Sequence, residues 1–575
     1  MEASYDFVIV GGGTAGLTLA ARLSEDASVS VAVIEAGTYY QIGNPLLSST
    51  PLGACAFIGT SPDDCNPAVD WSITTTPQKG ASNRQLHYPR GKCLGGSSGR
   101  NFMMYIRPCA GSLQKWADMV DDQSFTFDKM LPYFQKSCTF TPQILRAGLL
   151  TLHPKSFKSE GGPLHVSYYN NVRPFSVHLE SAFNEIGVPT TQDFNSGDLL
   201  GAQYCTNTVD PRTATRSSSQ TAFLDLCQAR HNIKVFQNTM AKKIIFDDNK
   251  RARSIIVDSG LCVKANREII LSAGAFQSPQ LLMVSGVGPA KTLDKFNIPV
   301  IADRPGVGRN MEDHVMYGPS YRTKLDTILS ETSDPAKAMS NLIEYFSKAR
   351  GPLSHSGTDF VAWEKLPRGL LSEKAKAVLA ELPDTFPDIE YMSMDAYYGD
   401  YASPMFKGAP KDGHNYVTVL VAPMALRSRG SVTIQSSDMA DLPLVDPNWL
   451  TDPVDQEVAV AGFKRARQLF ASNALKGTLV DQVEYHPGPS VETDQQILEH
   501  IRSTLSALFH ASVTCRMGKP NDPTAVVDTG GLVYGVSGLR IVDTSSFAML
   551  PSGHPQSMVY AFAEKVADEI KALYM

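Results

Sequence analysis

The chain has 575 residues, 43% of them hydrophobic and 19% charged, and a net charge of −6. That is an ordinary globular composition, and the length exceeds one core and suggests several domains. The acidic balance argues against nucleic acid or an acidic membrane as partner, and no apolar run is long enough to span a bilayer. Nine cysteines, an odd number, do not form a disulfide framework. Only Cys55 and Cys65, flanking a loop with Gly and Pro, suit a local bridge. No metal site is expected. The acidic Met1-Glu2 start and the absence of an N-x-[Ser/Thr] sequon predict a cytoplasmic protein. The alternative is a secreted protein whose leader has been removed.

The first element is written in "VIVGGGTAGLTLAARL", Val8 to Leu23. A buried parallel strand is predicted over Phe7 to Val10. Gly11, Gly13 and Gly16 fit G-x-G-x-x-G, with Thr14 and Ala15 inside the turn and an apolar helix running to Leu23. The first glycine permits the tight turn, the second lets backbone approach a pyrophosphate, and the third lets helix and strand pack closely. A second strand, Val29 to Ile34, ends at Glu35, which stands 19 residues past Gly16, where an acid can hydrogen-bond an adenosine ribose. The order of strand, helix, strand and acid predicts a dinucleotide site, without separating NAD from FAD.

Residues 38–90 are proline-rich and loop-like, suited to an excursion over a bound cofactor. In "GKCLGGSSGRNFMMYIRP", Gly91 to Pro108, the Gly95-Gly96-Ser97-Ser98 turn offers closely spaced N–H groups and two hydroxyls. It suits a pyrophosphate or flavin edge, and reads equally as a tight surface turn. Helix is predicted across 112–145 from the apolar period of Trp116, Met130, Leu131 and Phe134. From 218 the opening pattern returns. A helix over Gln220 to Ala229 leads to strands near Ile233–Phe236 and Lys243–Phe246, a hairpin across Lys250–Arg253, and the strand "REIILSAG". The basic tip of that hairpin reads as a solvated turn rather than a targeting signal. In "GAFQSPQLLMVSGVG", Gly274 to Gly288, Ser278-Pro279 marks a helix start and Gly286 its end. His314, in "GVGRNMEDH", reads as a structural histidine.

Residues 320–500 differ in style, with helices over Ala336–Ala349 and Asp455–Ser472 and strands in "NYVTVLVAPM" and "GSVTIQS". The loop "DAYYGDYASPMF" suits either an aromatic lid or a packed surface loop. The last 65 residues return to the nucleotide-binding style, with "GLRIVDTSS" as a strand and Pro555 to Leu573 as a helix. The predicted fold is therefore α/β (α+β overall): a discontinuous Rossmann-like nucleotide domain with an inserted sheet-and-helix substrate domain. The former takes residues 1–158, 208–315 and 503–575, the latter 159–207 and 316–502.

With these motifs in place, the chain resembles the glucose–methanol–choline (GMC) oxidoreductases, flavoproteins that include glucose oxidase and aryl-alcohol oxidase. The likeness covers nearly the whole length and both family signatures. The second is matched by "GAFQSPQLLMVSGVG"; the first departs at Gly99, where Ala is usual, and at Arg100, which replaces an aliphatic residue before Asn101. The resemblance implies FAD. In covalently flavinylated relatives a histidine at the Arg100 position carries the flavin, so its absence implies non-covalent binding here. A cation at Arg100, if beside the flavin, would raise its reduction potential.

The resemblance further implies that Gly11, Gly13, Thr14, Ala15, Gly16 and Glu35 hold the ADP half. Gly96, Ser97 and Asn101 would follow the pyrophosphate and isoalloxazine, the backbone near Ala241 the adenine, and Asp543 the pyrophosphate–ribityl region. Pro555 and Gln556 would open the last helix toward the flavin pyrimidine. His510 and His554, 44 residues apart, match the family's active-site pair. His510 would take the hydroxyl proton while hydride passes to flavin N5, and His554 would steady the alkoxide. Phe509 is either an aromatic wall of the substrate pocket or plain packing. The implied function is oxidation of a primary or secondary alcohol, hydrophobic, aryl or a secondary-metabolite intermediate, with O2 or another electron acceptor as partner. The alternative is a hydroxynitrile-lyase-like protein that binds FAD without net redox turnover. A photodecarboxylase is discounted because its pattern lacks the histidine pair.

Overall fold

The computed structural model describes residues 2–142, 155–158, 160–403 and 409–574. Its first sheet has seven strands. Glu2–Val10 lies at the centre, paired in parallel with Val31–Ile34 on one side and Cys262–Leu271 on the other. Ile233–Phe236 extends the first side in parallel, and Leu539–Ile541 joins the far end of Cys262–Leu271 in parallel. The hairpin Ala241–Phe246 and Ala252–Val257 completes the sheet in antiparallel fashion. Phe7, Val8, Ile9, Val31, Ala32, Val33, Ile269, Ile270 and Leu271 are wholly buried. Such continuous apolar runs are what a parallel sheet covered on both faces requires.

The helix Thr14–Leu23 follows the first strand, and the C-terminal helix Gln556–Tyr574 packs against it. Their seam carries an ion pair, Arg22 Nη2 to Glu564 Oε1 at 2.8 Å, with the Glu564 side chain fully buried. The last helix begins at Gln556, and the Pro555 carbonyl accepts from the Val559 N–H at 3.0 Å, so Pro555 stands at its cap.

Three helix expectations are corrected. The segment 112–145 forms two helices, Ala110–Val120 and Phe127–Ser137, broken where Asp121 adopts a left-handed φ of 58°. Residues 143–145 of that prediction lie outside the described residues. Gln220–Leu224 is a wide π-helical turn running into the short helix Asp225–Cys227. The helix expected to start at Ser278-Pro279 instead runs Gly274–Val284, with Pro279 inside it. Proline cannot donate to the carbonyl four residues back. That carbonyl, Ala275 O, is accepting from the Thr514 hydroxyl at 2.6 Å, so a distant side chain supplies the missing bond.

The second sheet has six strands, in the order Leu479–His486, Ser320–Thr323, Asn415–Pro423, Ile389–Met394, Phe360–Glu364, Gly201–Tyr204. All neighbours are antiparallel. The helix Pro453–Phe470 crosses it at Gly462, where a Cβ would come within 2.8 Å of Ile389 and Val421 side-chain atoms. The first sheet thus draws on both chain ends, and the second on 201–204 and on 320–486. Among the described residues no helix is long and apolar enough to cross a membrane.

Cys55 and Cys65 do not bridge; all nine cysteines are free thiols. Cys55 ends a short 3-10 turn, Pro51–Cys55, and its thiol points instead to the Ser356 carbonyl at 3.3 Å. Burial pushes it up to about 12, so it stays protonated and inert. Unfolding the protein without reductant should expose nine titratable thiols. A shortfall of two would show that this pair is oxidised.

Candidate active site

Two cavities meet at the carboxyl ends of the parallel strands, the place where open α/β sheets bind ligands. The smaller, about 140 Å³, is lined by Gly11, Gly13, Thr14, Ala15, Glu35, Gly96, Ser97, Ala241 and Asp543. The larger, about 1160 Å³, is lined by Ser97, Asn101, Phe509, His510, His554, Pro555 and Gln556. Thr14, Arg90, Gly91, Ser97, Thr544 and Val559 line both, so the two form one elongated space. Gly16 is the one expected site residue that lines neither. A Cβ there would strike the Gly11 carbonyl, so it acts by letting helix and strand pack.

The narrow end is built from backbone. Gly13 caps the first helix with no side-chain bond and no acidic residue in the first turn, leaving the N-terminal N–H groups for an anion. Gly96, at φ +51°, lies against Gly13: a Cβ on Gly96 would fall 2.7 Å from Gly13 Cα. By contrast, a Cβ on Gly13 or Gly274 would meet nothing closer than 3.8 Å. The wall there is bare backbone, as a closely seated dinucleotide needs. Glu35 accepts from the N–H groups of Gly12 and Gly37, each at 2.8 Å. Burial nevertheless pushes its carboxyl up to about 7. Asp543 is already occupied: it accepts from Gly274 N at 2.8 Å, from the Ser278 hydroxyl at 2.7 Å and from Ser545 N at 2.7 Å. Its carboxylate therefore ties the Gly274–Val284 helix to the turn after the last strand while lining the cavity.

At the junction, Asn101 donates to Gln556 Oε1 at 2.8 Å and accepts from Arg216 Nη1 at 2.9 Å. Gln556 donates in turn to the Met104 carbonyl at 3.1 Å. Arg216 is buried and also donates to the Ser48, Ser98 and Asn101 carbonyls. Arg100 is not a free cation. It pairs with Asp70 and donates to the Phe57 carbonyl at 2.8 Å, stitching the 57–70 excursion to the glycine turn.

His510 and His554 stand on the wall of the larger cavity with ring centroids 4.7 Å apart and planes at 82°. His554 Nε2 donates to Glu390 Oε1 at 2.9 Å. His510 is gripped twice. Its N–H donates to Asp313 Oδ1 at 2.8 Å, and its Nδ1 lies 3.0 Å from His314 Nδ1. Burial, then the neighbouring His554, His314 and Arg90, hold the His510 imidazole well below the ordinary histidine range. Asp313 also accepts from the Tyr88 hydroxyl at 2.8 Å and Trp449 Nε1 at 3.2 Å, and burial pushes it up to about 6. Phe509 lines the cavity in a left-handed conformation, φ 63°, uncommon for a bulky residue. Arg90 binds its carbonyl, and Tyr88 packs edge-on to its ring at 6.0 Å.

Sequence reasoning missed Glu390 and set His314 aside. The first had a signal: an acid in the middle of the apolar strand Ile389–Met394 has to be partnered. The second did not, because only the fold brings residue 314 to residue 510. Of the proposed aromatic lid "DAYYGDYASPMF", Tyr397 and Tyr401 line the larger cavity, and residues 404–406 lie outside the described residues.

A backbone-walled dinucleotide cleft opening onto a buried histidine pair defines a nucleotide-dependent oxidoreductase. The sequence patterns of the GMC oxidoreductases match residues 5–316 and 427–563. The chain belongs to this family, whose cofactor is FAD, and is an FAD-dependent alcohol oxidoreductase. It is 47% identical to a patulin synthase of Aspergillus clavatus over 99% of this chain and 92% of that protein. An FAD-dependent oxidoreductase from Chaetomium thermophilum superposes with a TM-score of 0.87 at 28% identity, covering 99% of each chain. A fungal aryl-alcohol oxidase superposes at 0.83 with 26% identity, again over 99% of each.

The contact between Gly96 and Gly13 yields a test. Gly96→Ala should give folded protein that purifies with little or no flavin colour. A Gly96→Ala protein with full visible absorbance would show that the turn is not pressed against the cofactor.

Proposed function

We propose that this enzyme oxidises a hydrophobic primary or secondary alcohol, with His510 as the general base and His554 as the group that orients the substrate oxygen. The single observation that carries the reading is the opposed wiring of the two rings. His510 is tied to the protein through Nδ1 and His554 through Nε2. Each therefore presents its other nitrogen to the same space. The residues lining the narrow cleft and the junction would hold FAD non-covalently, and the cofactor would supply the two-electron acceptor.

The proton side of the reaction belongs to the protein. His510 is neutral at physiological pH and can accept the hydroxyl proton at Nε2 as the C–H bond breaks. His554, tied to Glu390 through Nε2, turns Nδ1 to the same space and orients the substrate oxygen from there. The Asp313 grip on the His510 backbone fixes where the base sits on the cavity wall. Met316, Met392, Met394, Leu420 and Leu508 also line the space, beside polar residues such as Thr327, Ser330, Asp334 and Lys337 farther along it. Such flexible apolar side chains suit a hydrophobic substrate better than a sugar. The likeness to a patulin synthase and an aryl-alcohol oxidase supports an aryl alcohol or secondary-metabolite intermediate. Non-covalent attachment is supported by Arg100, whose guanidinium is committed to Asp70 and Phe57.

Anaerobic mixing with benzylic or allylic alcohols should bleach the flavin faster than mixing with glucose; no bleaching by any alcohol would favour a non-redox lyase. His510→Asn should lose about 10²–10⁴-fold in flavin reduction with FAD still bound. Glu390→Gln should lose less than that. His554→Asn leaves Glu390 buried without its imidazole, so the double variant with Glu390→Gln should be the more active of the two. Near wild-type flavin reduction by His510→Asn would refute the assignment of the base.

The wild-type rate should also be level from pH 8 down through about 6.5, the ordinary histidine value. His510 is held below that value, so its proton-accepting form persists until the pH falls to the lowered value. A rate that halves near 6.5 would contradict the burial argument. Acid or heat should release all the flavin from the polypeptide, and flavin retained on the denatured chain would show a covalent link elsewhere.

A further inference from the structure

We propose that His314 is a positioning residue that holds His510 in the Nδ1–H tautomer, so that the Nε2 lone pair faces the cavity. The inference rests on the reading of His510 as the base and adds how that base is set. A neutral imidazole has one N–H and one lone pair, and only the lone pair can take a proton. Which nitrogen faces the substrate is therefore as important as where the ring sits.

The hydrogen bonds decide it in sequence. His314 Nε2 lies 3.3 Å from the Met424 carbonyl. A carbonyl only accepts, so His314 carries its proton on Nε2. The ring is 2% exposed, and burial, with His554 nearby, lowers it to about 3. Being neutral, it has a bare Nδ1. That atom is 3.0 Å from His510 Nδ1, and two lone pairs cannot share such a contact. His510 Nδ1 must donate, which leaves the lone pair on Nε2. Among the described residues nothing hydrogen-bonds His510 Nε2, and the ring lines the cavity.

The relay of hydrogen bonds starts at the Met424 carbonyl, just after the Asn415–Pro423 strand. The substrate-side sheet thereby dictates the protonation pattern of a residue beside the nucleotide cleft. The arrangement is a second grip, distinct from the one by Asp313. The carboxylate fixes the His510 backbone, whereas His314 fixes the ring and its proton. Once Nε2 has taken the substrate proton, His510 Nδ1–H still donates to His314, so the bond persists through the reaction.

Ring-nitrogen NMR of the holoenzyme carrying isotope-labelled histidine tests this, with the His510 signals assigned by their loss in His510→Asn. Wild type should show His510 protonated on Nδ1 and bare on Nε2. In His314→Leu both His510 tautomers should appear, and flavin reduction should slow about 10-fold or more while KM and the bound-flavin spectrum hold. His314→Asn, which can accept through Oδ1 where Nδ1 stood, should recover most of the rate and the single tautomer. A wild-type His510 protonated on Nε2 overturns the proposal, as does a His314→Leu enzyme with one tautomer and full rate. If His314→Leu does not fold, the wild-type and His314→Asn spectra decide. Full activity in His510→Asn would instead sink the assignment of the base, while the wild-type spectrum would still report the tautomer.

Discussion

The constraint on which the nucleotide end depends is the contact between two backbone turns more than 80 residues apart, at Gly13 and Gly96. The Gly95 N–H donates to the Gly12 carbonyl at 2.7 Å, and the Ser219 hydroxyl to the Gly13 carbonyl at 3.1 Å. No side chain fits between them. The helix N-terminus stays bare, and its N–H groups can meet a pyrophosphate without competition from the protein. The Gly274–Val284 helix and the turn at Asp543, tied to each other by the Asp543 carboxylate, line the same cleft as that pair of turns.

A second constraint governs the chemical end. An imidazole that is to act as base at neutral pH has to be neutral, and burial secures that by making its charged form costly. Burial also raises the cost of any nitrogen left without a partner. The protein meets both demands by tying one nitrogen of each ring to itself, while both rings line the larger cavity. The partners come from separate parts of the chain: Asp313 and His314 from the end of the first matched region, Glu390 from the second sheet. The left-handed backbone at Phe509, held by Arg90 at its carbonyl and by Asp313 at the next N–H, belongs to the same device. Strain of this kind, of order 1–3 kcal/mol, persists where surrounding bonds over-determine it.

Three arginines on the nucleotide side are satisfied in two different ways. Arg100 is neutralised by Asp70, and Arg22 by Glu564, whereas buried Arg216 is satisfied by carbonyls and the Asn101 amide. Arg100 therefore brings no uncompensated field to the cofactor, although its sequence position suggested one. The positive charge near Asn101 comes from Arg216; burial lowers its proton affinity, yet an arginine stays charged in proteins.

Much of this was legible in the sequence because the signals were local. A glycine spacing sets a turn wherever it occurs, the run Phe7–Val10 must be buried, and Gly286, at φ 92°, ends its helix as expected. The expected cofactor residues, Gly16 apart, line the two cavities; the glycine spacing marked Gly11 and Gly13, whereas Asn101, Ala241, Asp543, Pro555 and Gln556 were expected from the family resemblance. What sequence could not decide was every fact that depends on a distant partner. Pro279 sits inside a helix only because the Thr514 hydroxyl takes the carbonyl it frees. Cys55 points at Ser356, and so leaves Cys65 unpaired. His314 looked structural until the fold set it 3.0 Å from His510, and Glu390 gained meaning only opposite His554. Periodicity and turn chemistry are properties of neighbours along the chain, whereas protonation states and hydrogen-bond partners belong to neighbours in space. The sequence by itself marked the strands of the first sheet and the glycine turn at their end; the tertiary structure alone decided which nitrogen of each histidine the protein ties to itself.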